Sequence, residues 1–131
     1  MNRKFAFENL EVYKVARGLV CDIYKLQCQF PKEERYALGD QIRRSSTSIT
    51  SNIAEGAGRN SYKEKIHFIE IAFGSLMEAF SQLQNAQDLG YIAETEVEAI
   101  RPQFNHVAAL LSLLKQSYEQ KLAPSIKPLN H

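Results

Sequence analysis

Little in this chain commits it to covalent, metal or membrane chemistry. Only two cysteines, Cys21 and Cys28, occur in 131 residues. They lie seven apart in a segment with helical spacing, so their Cα atoms stand about 10 Å apart, too far for a disulfide. A metal centre built on them would need more ligands nearby in sequence, and there are none. The expectation is a pair of reduced, buried thiols in a cytoplasmic protein. Four prolines and six glycines are few, and most fall near the ends of expected elements. No apolar run approaches the length needed to span a bilayer. The opening MNRKFAFENL has no apolar h-region, so no signal peptide is expected. Charge nearly cancels, with 16 Lys/Arg against 15 Asp/Glu and a net charge of +1. A strong global field is therefore excluded. Residues 1–60 hold ten Lys/Arg against seven Asp/Glu, and residues 61–131 hold six against eight. Any basic surface is local and lies mainly in the first half.

What the chain has in quantity is helical periodicity. Apolar positions alternate steps of three and four. The first run is Val12, Ala16, Leu19, Ile23, Leu26 and Phe30, with Asn9 as N-cap and Pro31 as stop. The second is Leu38, Ile42, Ser45, Ile49 and Ile53, opened by the partly acidic Lys32-Glu33-Glu34 and ended by Gly56 and Gly58. The third is Ile66, Ile69, Phe73, Leu76, Phe80 and Leu83, entered through the capping-box pattern Ser61-Tyr62-Lys63-Glu64. The fourth is Val97, Ile100, Phe104, Val107, Leu111, Leu114 and Tyr118, with Pro102 placed to kink the helix or delay its start. No strand pattern, internal repeat or low-complexity segment competes. The spacing predicts one all-α domain over 1–131, an antiparallel up-and-down four-helix bundle with helices near 9–29, 32–56, 61–88 and 94–121 and a frayed tail at 124–131.

The stretch RRSSTSITSNIAEGAGRNS, Arg43 to Ser61, is unusual for such a helix. Ser45 to Ala54 carry no charge, and seven of those ten residues are Ser, Thr or Asn. On a helical wheel Leu38, Ile42, Ser45, Ile49 and Ile53 form one stripe, and Thr47, Thr50, Ser51 and Ala54 fall on the other side. A solvated outer face normally carries Lys and Glu. Ser and Thr cost about half a kcal/mol each against Ala in a helix, so something besides local propensity favours them. Small residues let backbones approach closely. The second helix is therefore expected to pack on two sides, against the core and against another helix or subunit. The first helix carries Leu10, Tyr13, Val20, Cys21, Tyr24 and Cys28 beside its core stripe, an apolar arc too wide for a simple surface helix. Thr47, Thr50, Ser51, Ala54, Tyr13, Val20 and Tyr24 are the expected surface for a homo-oligomer. The simpler alternative is that the arc packs under the tail and loops.

Catalytic signatures fail one by one. A di-iron bundle needs two Glu-x-x-His pairs and two further carboxylates. Glu64-Lys65-Ile66-His67 has the spacing, but His106 is preceded at that distance by Gln103, and Glu64 is accounted for as the capping acid. The hydroxyls of 45–51 have no histidine near them in sequence, and a helix satisfies them on its own carbonyls. Gly56-Ala57-Gly58-Arg59-Asn60-Ser61 lacks the Gly-Lys-Ser/Thr of a phosphate loop and follows no strand. What it offers is a helix N-terminus beside Arg59 and Lys63, a place for a phosphate or a plain turn between helices. No catalytic residue, cofactor or metal is expected. Arg43, Arg44, Arg59, Lys63, Lys14 and Arg17, with Lys25 and Lys65, are the candidates for sequence-independent contact with nucleic-acid phosphates. The alternative is scattered, solvated charge.

The segments Gln41-Ile42-Arg43-Arg44, Ser48-Ile49 and Asn52-Ile53-Ala54-Glu55-Gly56-x-Gly58-Arg59 resemble the four-helix-bundle family encoded in intervening sequences of bacterial large-subunit ribosomal RNA. Phe7-Glu8-Asn9-Leu10-Glu11-Val12-Tyr13, Phe30-Pro31-Lys32-Glu33-Glu34-Arg35-Tyr36-x-Leu38 and Gly74-Ser75-Leu76-x-Glu78 extend the resemblance over about residues 5–118. It implies a homopentameric barrel. The family is also similar to the accessory protein of diversity-generating retroelements, which works with a reverse transcriptase and binds nucleic acid through a basic barrel surface. The resemblance thus implies a non-enzymatic adaptor whose partners are copies of itself, RNA or DNA, and a reverse transcriptase or other protein. The chain departs from the family pattern at Thr50, where proline is common, at Ser45, Ser46 and Thr47, where small apolar residues are common, and in charge near Glu70 and Phe80.

Overall fold

The computed structural model describes residues 2–126, with side chains as far as Ala123. Four helices account for most of it: α1, Glu11–Gln27; α2, Leu38–Ala57; α3, Tyr62–Asp88; and α4, Glu94–Ile126. Each packs on its neighbour in the chain, and α1 closes the circuit against α4. Short joints force consecutive helices to run antiparallel, giving an up-and-down bundle. One end of the bundle therefore gathers the start of α1, the end of α2, the start of α3 and the end of α4.

The core follows the expected stripes. Val12, Ala16, Leu19 and Ile23 of α1 meet Ile42, Ile49 and Ile53 of α2, Ile69, Leu76 and Leu83 of α3, and Val97, Ile100, Phe104, Val107 and Leu111 of α4. Each large aliphatic side chain fully buried here is worth about 1.5–3 kcal/mol relative to exposure. On α3 the expected stripe shifts. Phe73 is 37% exposed, Ile66 and Phe80 are half-buried, and the buried positions include Ala72, Ala79 and Ala86 instead. These alanines recur every seven residues and keep α3 close to α2.

That close approach explains much of the hydroxyl-rich stretch. Ser45 donates to Gln82 Oε1 at 2.6 Å, the Ser48 and Ser75 hydroxyls lie 2.8 Å apart, and Asn52 Nδ2 donates to Ser48 Oγ at 2.9 Å. Gly56 completes the line, since a Cβ there would stand 3.0 Å from Phe68 Cβ and 3.3 Å from the Lys65 carbonyl. One of the two packing partners expected for α2 is thus its own neighbour, α3. Ser46, Thr47 and Thr50 bond back along the helix, Ser46 to the Arg43 carbonyl at 3.0 Å, Thr47 to the same carbonyl at 2.9 Å and Thr50 to that of Thr47 at 3.1 Å.

The ends differ from expectation in several places. Residues Ala6–Asn9 form a 3-10 turn, so α1 starts after Leu10 and Asn9 is not its cap. Lys32–Glu34 form a second 3-10 turn, and α2 begins at Leu38. There Glu34 Oε1 accepts from the Leu38 N–H at 3.1 Å, doing the work of a cap from outside the helix. A Cβ on Gly39 would meet the Glu34 carbonyl at 2.8 Å, so the tight joint requires glycine. Ser61 caps α3 as predicted, accepting from the Glu64 N–H at 3.1 Å. Pro102 neither stops nor delays α4, which starts eight residues earlier at Glu94 and runs past the expected 121 to Ile126. Of the tail expected to fray, residues 127–131 lie outside the described residues.

Candidate nucleic-acid interface

Antiparallel winding sorts the charges by end. Residues 2–18, 48–75 and 111–126 make up the half holding the α2–α3 joint, and they carry nine Lys/Arg against six Asp/Glu. Residues 19–47 and 76–110 make up the other half and carry six against nine. A chain that is neutral in sum is thus polarised along its axis. Two helix starts and two helix ends meet at each end, so the backbone dipoles largely cancel and the asymmetry is carried by side chains.

The basic end is built from three helices. Arg59, just beyond α2, pairs with Glu55 at 2.7 Å and lies 4.7 Å over the Phe68 ring. Lys65 donates to the Ala57 carbonyl at 2.8 Å and sits over Tyr118. Lys121 of α4 lies over Tyr62, whose ring is 5.8 Å from that of Tyr118. Burial, and secondarily Tyr62, raises the Tyr118 hydroxyl above its ordinary pKa, so it stays protonated at neutral pH. Lys63 is exposed on the first turn of α3. Lys14 and Arg17, also exposed, lie in the first two turns of α1 in the same half, with Arg17 5.9 Å from the Tyr13 ring centre. Arg59 and Lys65 are thus held in place by Glu55 and the Ala57 carbonyl, while Lys63, Lys121, Lys14 and Arg17 are exposed around them; cations beside aromatic rings are groups that can meet phosphates and flanking bases.

The six candidates from the sequence therefore do not form one cluster. Arg59, Lys63, Lys14 and Arg17 share the basic half. Arg43 and Arg44 belong to the other, with Arg44 and Arg59 separated by fifteen residues, or about 22 Å of helix. Arg43 is engaged internally, donating to the Arg35 carbonyl at 2.7 Å with 26% of its side chain exposed. Arg44 is 80% exposed and pairs with Asp40 at 3.1 Å. Lys121 was not among the candidates. Only the antiparallel topology brings the end of α4 to the start of α3, and no local motif marks it.

The candidate oligomer residues do share a face. Tyr13, Val20 and Tyr24 lie half-buried on the flank of α1 nearest α2, and Thr50 and Ala54 lie half-buried on the facing flank of α2. Thr47 and Ser51 are exposed beside them on the outer surface. The expectation for the cysteines is overturned, because Cys21 and Cys28 are both exposed. They sit opposite the Val12–Ile23 stripe on the wheel, and no described element covers that side. His67 is exposed against the Phe68 ring. Among the described residues there is no cluster of three or more potential metal ligands, and no helix is long and apolar enough to cross a membrane.

Fold and surface together define an up-and-down four-helix bundle with charge segregated between its ends. The family model for the 23S rRNA-intervening sequence protein matches residues 8–113, and the chain belongs to that family. A crystal structure at 1.70 Å of a protein of unknown function, from the S23 ribosomal protein family of Bacteroides thetaiotaomicron VPI-5482, is similar in fold. Its TM-score is 0.73 at 24% identity, covering 80% of this chain and 95% of that one. No curated protein matches the chain.

Proposed function

We propose that the protein is a non-enzymatic, oligomeric adaptor of the cytoplasm that holds the phosphate backbone of RNA or DNA on its basic end. The observation that carries this reading is the segregation of charge. One half has an excess of three cations, interleaved with Phe68, Tyr62 and Tyr118, in a chain with almost no net charge. Membership of a family named for an intervening sequence of 23S rRNA is consistent with it. A single basic end makes a modest phosphate surface. Cyclic assembly about an axis parallel to the bundle would point every chain the same way and bring the basic ends to one rim, and the resemblance favours five copies. Arg59, Lys63, Lys65 and Lys121 are assigned the principal phosphate contacts, with Lys14 and Arg17 at the margin.

The test is binding of labelled structured RNA and duplex DNA across a salt series, with the mass of the assembly recorded alongside. The expected result is an oligomer whose affinity falls steeply with salt, the logarithmic slope growing by about 0.9 for each phosphate neutralised on a duplex. An oligomer without affinity for either at low salt contradicts the proposal. It would instead support a protein-interaction scaffold, with a reverse transcriptase or another protein as partner. That second reading has its own observation, the apolar seam between α3 and α4 where Phe73 and Met77 are exposed.

A further inference from the structure

The joint between α1 and α2 holds a cleft of about 420 Å³ lined by Gln27, Phe30, Pro31, Lys32, Arg35 and Arg43. This half of the bundle carries six cations against nine acids, yet three of the six line one depression with no carboxylate in its wall. The fold accounts for only one of them. Arg43 donates to the Arg35 carbonyl at 2.7 Å, and Gly39 makes room for it, since a Cβ there would stand 3.2 Å from Arg43 Nη1. Asp40 lies 3.9 Å from Arg43 but nearer to Arg44, at 3.1 Å. Lys32 and Arg35 are exposed and have no carboxylate partner among the described residues, although Glu33 and Glu34 adjoin them in sequence. The Glu34 carboxylate is engaged elsewhere, accepting from the Leu38 N–H at 3.1 Å and the Tyr91 hydroxyl at 2.8 Å. Phe30 is buried against the Tyr91 ring and gives the cleft a fixed apolar wall. Beside it, Arg35 stands 5.8 Å from the ring centre of Tyr36, whose 86% exposure is the greatest among the large apolar side chains of the described residues.

We infer that this cleft is a binding site for a free nucleoside monophosphate. Three cations around one cavity match the double charge of a phosphomonoester, and guanidinium groups give phosphate paired hydrogen bonds. The volume falls in the range of small-molecule pockets, about 300–1,000 Å³. A phosphate alone leaves most of it open, with Phe30 and Pro31 as an apolar wall for the rest of the ligand. An exposed tyrosine ring next to a cation is a platform on which a nucleobase stacks. The surroundings select a small ligand over a strand. Further phosphates of RNA or DNA would fall on a half with three more acids than cations, whereas a single phosphomonoester ends within the cleft. The site lies at the opposite end from the surface assigned to nucleic acid and does not depend on that assignment.

Calorimetric titration of the intact protein with AMP, GMP, CMP and UMP in turn tests this. At least one should bind once per chain, and its nucleoside, which lacks the phosphate, at least about tenfold more weakly, as expected from the loss of one charge-assisted hydrogen bond. K32Q/R35Q alters two exposed side chains, so it should fold with unchanged helicity and lose at least about tenfold in affinity. Tyr36→Ala should weaken binding as well. K25Q/R101Q, which removes two other cations of the same half, should bind as the wild type does. No binding of any of the four at low salt, equal binding of the nucleoside, or unchanged affinity in K32Q/R35Q or Y36A overturns the inference. Equal losses in the two double variants also overturn it. So does a 5′-phosphorylated oligonucleotide that binds more tightly than the mononucleotide and loses that affinity in K32Q/R35Q, which would make the cleft a site for strand ends.

Discussion

Single residues here are constrained mainly by what stands next to them. Gly56 is fixed by the approach of α3, because an added methyl would press on Phe68 Cβ and the Lys65 carbonyl. Gly56→Ala is expected to destabilise by about 1–3 kcal/mol, the usual cost of overpacking, as measured by urea unfolding. Gly18 on α1 is the opposite case, since a methyl added there would meet nothing within 4 Å. Gly18→Ala should stabilise the chain by about 0.5–1 kcal/mol in the same measurement. Tyr91 donates to Glu34 Oε2 at 2.8 Å, and that bond, with burial and the carboxylate charges, raises its pKa. The protonated phenol is the form the fold favours. The contribution is therefore complete below the ordinary tyrosine range and is lost as pH rises through the folded value. Tyr91→Phe should remove this alkaline component of the unfolding profile and leave the neutral-pH helicity intact.

At the scale of elements, the α2–α3 pair carries the most specific packing. Ser45, Ser48, Asn52, Ser75 and Gln82 form a buried or half-buried polar line between two helices held close by Ala72, Ala79 and Ala86. Ser45→Ala leaves Gln82 Oε1 buried without that donor, and should cost about 1–3 kcal/mol. Ser45→Ala combined with Gln82→Leu should recover most of the loss, because removing both partners of a buried hydrogen bond is far less costly than removing one. Equilibrium unfolding of the two variants distinguishes this from a simple volume effect. The helices themselves were legible in the sequence, since the three-and-four spacing of Val12 to Leu26 or of Val97 to Tyr118 has no competing period. The element ends were less so. The capping of α2 by Glu34 across a 3-10 turn leaves no local signature, and Pro102 is accommodated within a helix that local rules would bend or postpone. Phe73 satisfied the α3 pattern, but the alanine repeat one position earlier decides which side of α3 faces the core.

For the whole molecule, the surface was readable in part. The oligomer candidates fall on one face because they are periodic on two neighbouring helices, and periodicity survives folding. The phosphate candidates do not, because adjacency in sequence, as in Arg43-Arg44, says nothing about which end of a bundle a residue reaches. Antiparallel winding separates that pair from Arg59, Lys63 and the neighbouring Lys65 and brings in Lys121 from a distant position. The proposed phosphate surface rests on this separation. The most direct test compares the salt dependence of RNA and duplex binding for three proteins, the wild type, R59Q/K63Q and K25Q/R44Q, each pair removing two cations from one half of the bundle. A phosphate surface at the basic end predicts that R59Q/K63Q weakens binding to all sequences alike and lowers the logarithmic salt slope by about 2, and that K25Q/R44Q binds as the wild type does. Equal losses in the two variants, or a greater loss in K25Q/R44Q, would contradict a phosphate surface confined to that end.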